Sequence, residues 1–148
     1  MKETLISFCI VNLNAKSHLI SCLKSISMST KCDFFEIIVV DNNSNDGSIE
    51  FLRYQYPEVK LIINLRNDGY TKAINKALRL SKGKYKVVLN PDTELMPNAI
   101  DIMINHMKSS KNIGIVGPKV LNIDGSFQKS CRRGAVSYTH LTLPTTSS

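Results

Sequence analysis

Four short apolar runs, each nearly unbroken, limit what this chain can fold into: LISFCIV at 5–11, FEIIVV at 35–40, VKLIINL at 59–65 and YKVVL at 85–89. Runs of this length without regular polar alternation suit strands buried on both faces, as in a parallel sheet. Between them, apolar residues recur at helical spacing: Leu19, Leu23 and Ile26; Ile49 and Leu52; Ala73, Ala77 and Leu80; Ile100, Met103, Ile104 and Met107. Strands alternating with helices through short connections predict an α/β, mainly parallel sheet with helices on both faces. Right-handed crossovers bring the C-terminal end of every strand to one edge. Ligands of such sheets bind at that edge, where the strand order reverses.

Local signals mark the element ends. Asp46-Gly47-Ser48 reads as a helix start, because short oxygen side chains accept the free N–H groups of a first turn. Pro57 ends that helix. The next helix runs from about Tyr70 to Ser81, and Gly83 is expected to close it in a left-handed conformation. Pro97 is expected at the first position of the following helix, where its missing N–H costs nothing. Ile113 to Val116 reads as a fifth strand, Gly117-Pro118 turns the chain away, and Phe127 to Cys131 reads as a sixth strand.

The 148 residues suit one domain. With 43% apolar and 21% charged residues, the chain is globular rather than disordered or fibrous. No apolar stretch approaches the ~20 residues of a membrane span. The N-terminus lacks the pattern of a secretory signal, so the expected location is cytoplasmic. Cysteines at 9, 22, 32 and 131 show no C-x-x-C spacing and read as free thiols. The three histidines are scattered and read as surface residues. The formal charge of +7 suits an anionic partner. The lysines read as spread along the chain without aromatic interleaving, which argues against nucleic acid. A basic face resting peripherally on anionic lipid at the inner side of the membrane stays open. Residues 134–148 hold no charge and neither periodicity, and they read as a non-native tail set apart from the domain at 1–133.

The chemistry is expected just after the strands, at Asn12-Leu13-Asn14, Asp41-Asn42-Asn43, Arg66-Asn67-Asp68-Gly69 and Asn90-Pro91-Asp92. Asp41 ends a buried strand. Its carboxylate can accept from a pyrimidine N3–H or from ribose hydroxyls, or it can cap its own turn. Asp92 is a hard oxygen donor suited to Mg²⁺ or Mn²⁺ shared with substrate phosphates. The other reading is a helix cap, which its distance from Pro97 makes awkward. Gly69 permits a tight turn with positive φ before a helix N-terminus that attracts anions. Asn75, inside that helix, either faces the site or is a plain exposed polar position.

Together these segments resemble the N-terminal half of an inverting, GT-A-fold glycosyltransferase of family 2, in its rhamnosyltransferase-like branch. The matching pieces are IVNLN at 10–14, EIIVVDNNSNDGS at 36–48, NDGYTKAINKAL at 67–78, YKVVLNPDT at 85–93 and GIVGPKVLNIDGSFQKSCRR at 114–133. They occur in family order. The resemblance implies transfer of a sugar, with inversion, from a dTDP- or UDP-sugar to a saccharide or lipid-linked acceptor. It implies nucleotide-sugar contacts at Asn12, Asn14, Asp41, Asn43, Asn67, Gly69, Asn75 and Asn90. Asp41 would read the base, and Asp92 would bind a divalent Mn²⁺ or Mg²⁺ as the last acidic position of a D-x-D motif. Asn90 replaces the first acid of that motif, and Leu13 stands where the family often has tyrosine. The family's catalytic base belongs to a downstream acceptor half, and no carboxylate follows Asp124, so no residue here is assigned that role. A chain of this kind is expected to bind donor without transferring it.

Two rivals fail on single features. A nicotinamide-binding sheet needs glycines after its first strand, and Asn-Leu-Asn-Ala-Lys-Ser has none. A P-loop enzyme needs G-x-x-x-x-G-K-[ST], which is absent.

Overall fold

The computed structural model describes residues 5–128. Among these, the element order is β1 (Ile6–Asn12), α1 (Lys16–Ser29), β2 (Phe35–Asp41), α2 (Ser48–Gln55), β3 (Lys60–Ile63), α3 (Tyr70–Leu80), β4 (Tyr85–Leu89) and α4 (Ala99–Ser109). The sheet is wholly parallel, in the order β3-β2-β1-β4. Every residue of β1 is buried, as its central place requires.

Chirality sets the helix positions. The crossovers β1→β2 and β2→β3 move in the same direction, so right-handedness puts α1 and α2 on one face. The crossover β3→β4 returns past two strands and puts α3 on the other. Leu19, Cys22, Leu23 and Ile26 of α1, Leu52 of α2, and Ile100 and Ile104 of α4 pack with Phe8, Ile10 and Val39 on the first face. On the second, Ala73, Ile74 and Ala77 of α3 lie against Cys9, Val11, Ile38 and Val40. Alanines let this helix sit close to the sheet. Because the chain reverses between β3 and β4, the switch point falls at the tips of β1 and β4.

Four sequence expectations need correction. Gly83 does not close α3 in a left-handed turn; α3 ends at Ser81 in extended backbone (φ −75°, ψ 138°). Glycine at 83 instead permits a close approach to β1, since a Cβ there would lie 2.6 Å from the Ser7 nitrogen. Its own N–H donates to Ser7 Oγ at 2.7 Å. Pro97 does not open α4, which begins at Ala99. Pro97 occupies the second position of a turn closed by Ala99 N–H to Met96 O (3.1 Å), with Asn98 third at φ 59° and ψ 9°. Proline then a left-handed asparagine is the pattern of a type II turn. The run Ile113–Val116 forms no strand, because nothing among the described residues pairs with it. Of the expected sixth strand, Phe127 makes one antiparallel bridge to Leu121 around a tight turn at 122–126, and 129–131 lie outside the described residues. The tail at 134–148 also lies outside them.

Candidate functional site

Asn12 and Asp41 are the last residues of β1 and β2 and stand opposite each other in register. Both are fully buried. Asn12 Nδ2 donates to Asp41 Oδ2 at 2.7 Å and to Ser48 Oγ at 2.9 Å, with Ser44 Oγ at 3.1 Å. Ser44 returns to the carboxylate twice, from its N–H to Oδ1 (2.7 Å) and from Oγ to Oδ2 (2.7 Å). Ser44 Oγ also accepts the N–H of Asn14 at 2.9 Å, and Asn14 Oδ1 accepts the N–H of Asn45 at 2.9 Å. Asn14 (φ 50°), Asn43 (φ 70°) and Gly47 (φ 79°) bend the two loops into this contact. Asparagine tolerates that conformation better than most residues.

Asp46 ties the loops to two helix starts. It accepts the N–H of Lys16 at 2.8 Å, beginning α1, and the N–H and hydroxyl of Ser48 at 3.0 and 2.6 Å, beginning α2. Burial pushes its carboxyl pKa up, but the bonds from Ser48 and Lys16 outweigh that and hold it below the usual carboxylate value. One acceptor of this cluster remains: Asn12 Oδ1 is buried with no hydrogen-bond partner among the described residues.

The tip of β4 is built differently. Asn90 to Thr93 forms a turn closed by Thr93 N–H to Asn90 O at 3.2 Å, with Pro91 and Asp92 at its centre. The proline sits where no ladder bond is required of it. Asp92 is half-buried on the α1 side of the sheet. Burial pushes the Cys22 thiol up to about 12, and the nearby negative charges of Asp92 and Glu94 push it the same way. Cys22 is thus a packing residue, not a reactive thiol. No cluster of three or more His, Cys, Asp or Glu able to hold a metal occurs among the described residues. The oxygen donors of this segment are the carboxylates of Asp92 and Glu94 and the Asn90 amide. Such a set fits a Mg²⁺ or Mn²⁺ ion that takes its other ligands from phosphate and water, and does not form a cage by itself. Strands β2 and β4 flank β1, so a spacing of about 4.8 Å between neighbours puts their tips about 10 Å apart.

The third loop leads into α3. Asn67 Oδ1 accepts the N–H of Gly69 at 2.9 Å, and Gly69 takes φ 80° and ψ 162°, which only glycine adopts freely. Asn75 is exposed and lines a groove of about 290 Å³ with Asn64, Asp68, Lys72, Lys76 and Arg79, apart from the Asn12–Asp41 cluster. Sequence reasoning missed Ser44, Asp46 and Ser48 as site builders. Their alternation of short oxygen side chains was the available signal. It also missed Asn64, which donates to Asn42 Oδ1 and accepts from Lys76 Nζ, both at 2.8 Å.

A doubly wound parallel sheet whose polar loops gather at one edge is the class of a ligand-binding α/β domain. Comparison with known proteins names the family: the model of glycosyl transferase family 2 matches residues 7–144, and the chain belongs to that family. It is 28% identical over 127 residues to the N-acetylglucosaminyl-diphospho-decaprenol L-rhamnosyltransferase of Mycobacterium tuberculosis, covering 78% of this chain and 41% of that enzyme. Among solved structures, S. aureus TarS in complex with UDP-GlcNAc matches with a TM-score of 0.62 at 18% identity, over 71% of this chain and 31% of that one. A mannosyltransferase from Pyrobaculum calidifontis in complex with GDP-Man and Mn²⁺ matches with a TM-score of 0.61 at 20% identity, over 79% and 34%. These likenesses show the GT-A fold. The chain spans less than half the length of the curated relatives it matches, 44% and 41% for two of them.

Proposed function

We propose that this chain binds a nucleoside-diphosphate sugar, dTDP- or UDP-linked, as the donor part of a glycosyltransferase that inverts the anomeric carbon. The observation that carries this reading is the in-register Asn12–Asp41 pair, locked into the first two loops at the strand edge where this fold binds ligands. Asn12 Oδ1 is a buried acceptor in need of a donor, and a pyrimidine N3–H is a donor of that kind. Asn12 and Asp41 are both wholly buried, so base reading by either side chain requires the loops around them to open. Asn14, Asn67 and Gly69 supply further contacts along the edge. Asn90 and Asp92 would hold a divalent ion beneath the diphosphate, where the ion supplies charge neutralisation for the leaving group. UDP-GlcNAc and GDP-Man, the donors bound in the two structural neighbours, support a nucleoside-diphosphate sugar as the substrate class. A saccharide or lipid-linked saccharide is the acceptor, as in the mycobacterial relative's name.

Binding without transfer is the second reading. Asp124, the last carboxylate in the chain, accepts the N–H of its own turn residue Ser126 at 2.9 Å. Hydrogen bonds from Ser126 hold its carboxyl below the usual value, the opposite of what a general base near neutral pH needs.

Calorimetric titration with UDP and dTDP, with and without Mn²⁺, tests the proposal. Similar affinities for the two, strengthened by Mn²⁺, are expected. No affinity for either nucleotide sinks the reading, and metal-independent affinity that survives Asp92→Ala removes the metal role. Sugar transfer by this chain would refute the second reading.

A further inference from the structure

The lysines that look scattered in the sequence are not scattered in charge. Residues 60–86 carry eight of the 19 basic residues and one of the 12 acidic ones, so the remaining 11 and 11 cancel. The whole formal charge of +7 therefore resides in the β3–α3–β4 unit. The fold then gathers much of that charge on the sheet face covered by α3. Lys60 of β3 and Lys86 of β4 reach α3 from either side, with their Nζ atoms on Leu80 O (3.3 Å) and Leu78 O (2.9 Å). Lys72, Lys76 and Arg79 follow one another along α3 at helical spacing beside the groove of about 290 Å³. Lys82 is exposed just past the helix end. Asp68, the unit's one acid, is paired with Arg66 at 3.0 Å. On the loop entering α3, Leu65 is 97% exposed.

We propose that the α3 face docks on an anionic lipid bilayer. Six cations lie on this face against one acid from outside the unit, Glu36 of β2, which sits beside Lys60 and Lys82 and takes the Lys82 N–H at 2.6 Å. The remaining positive excess matches the negative surface of a bilayer, and each basic group near such a surface adds attraction that salt screens. The unit's aromatics are Tyr70, at the helix start, and Tyr85, so the face lacks the stacking platforms that single-stranded nucleic acid requires. The inference stands on charge placement and is independent of the donor-binding reading, which nucleotide titration tests separately.

The test is co-sedimentation of the full chain with vesicles of phosphatidylcholine alone and of phosphatidylcholine with phosphatidylglycerol, at low and at high salt. The protein is expected to pellet with the anionic vesicles only, and to be released as salt rises. Charge reversal at three exposed positions of the face, Lys72→Glu, Arg79→Glu and Lys82→Glu, is expected to lower the partition coefficient by at least about 100-fold. The same charge change on the α1 and α4 side, Lys24→Glu, Lys108→Glu and Lys111→Glu, is expected to cost less than about tenfold. Equal losses in the two variants, salt-insensitive pelleting or no pelleting with anionic vesicles each overturn the proposal. So does preferential retention by a single-stranded RNA homopolymer. The wild-type arms decide the matter even if a variant fails to fold.

Discussion

Asp41 ends β2 and Asp92 lies in the turn just beyond β4, yet the two are opposites in construction. At β2, Asp41 is sealed inside a lattice of side-chain bonds joining Asn12, Ser44 and Ser48. At β4, Asp92 is half-buried in a turn closed by the Thr93 N–H on Asn90 O, with the Cys22 thiol on the same carbonyl. A sealed carboxylate stabilises the loop that surrounds it. The half-buried Asp92 instead lies where an arriving ligand can reach it. Substitution should therefore separate stability from ligand response.

The largest effect is expected for Asp41→Ala. It strands buried donors of Asn12 and Ser44 and should lower unfolding stability by about 3 kcal/mol in urea titrations. A loss below about 1 kcal/mol would erase the contrast. Asp92→Ala is expected to leave the urea midpoint nearly unchanged and to weaken Mn²⁺-supported UDP binding at least tenfold, roughly. An Asp92→Ala protein as unstable as Asp41→Ala would show the β4 tip to be structural as well. Ser44→Ala, which keeps the carboxylate but removes its hydroxyl partner, should cost about 1–2 kcal/mol. Asp46→Asn should cost about 1 kcal/mol by weakening both helix starts. Its pH signature has a fixed sign. The folded Asp46 carboxyl titrates below its unfolded value near 4, so its contribution is present above that pH and is lost as pH falls through the folded value. The variant's stability curve should be flatter than the wild type's in that acid range.

The two tips also show what a sequence can reveal. The span of β4 was legible to the residue, because YKVVL is bounded by lysine on one side and Asn-Pro on the other. The residues facing the strand edge were legible for the same reason. The Asn12–Asp41 bond was not, because it depends on the register of β1 against β2, a relation between segments 29 residues apart. Asp46 looked like a cap for α2 and turned out to cap α1 as well, across the loop. Ile113–Val116 has strand composition and no partner, so propensity alone misled there. The basic face was half legible. Lys72, Lys76 and Arg79 share helical spacing, but Lys60 and Lys86 join them only once β3 and β4 are placed on either side of α3.

The central position of β1 sets a timetable for assembly on the ribosome. Its pairing with β2 is available once residue 41 has emerged, whereas its other edge waits for residues 85–89, sealed at the start by the Gly83–Ser7 contact 76 residues away. Until then a strand that is wholly buried in the finished fold presents unsatisfied main-chain groups along one side, so a nascent chain halted before Gly83 is the form of this protein most in need of a chaperone.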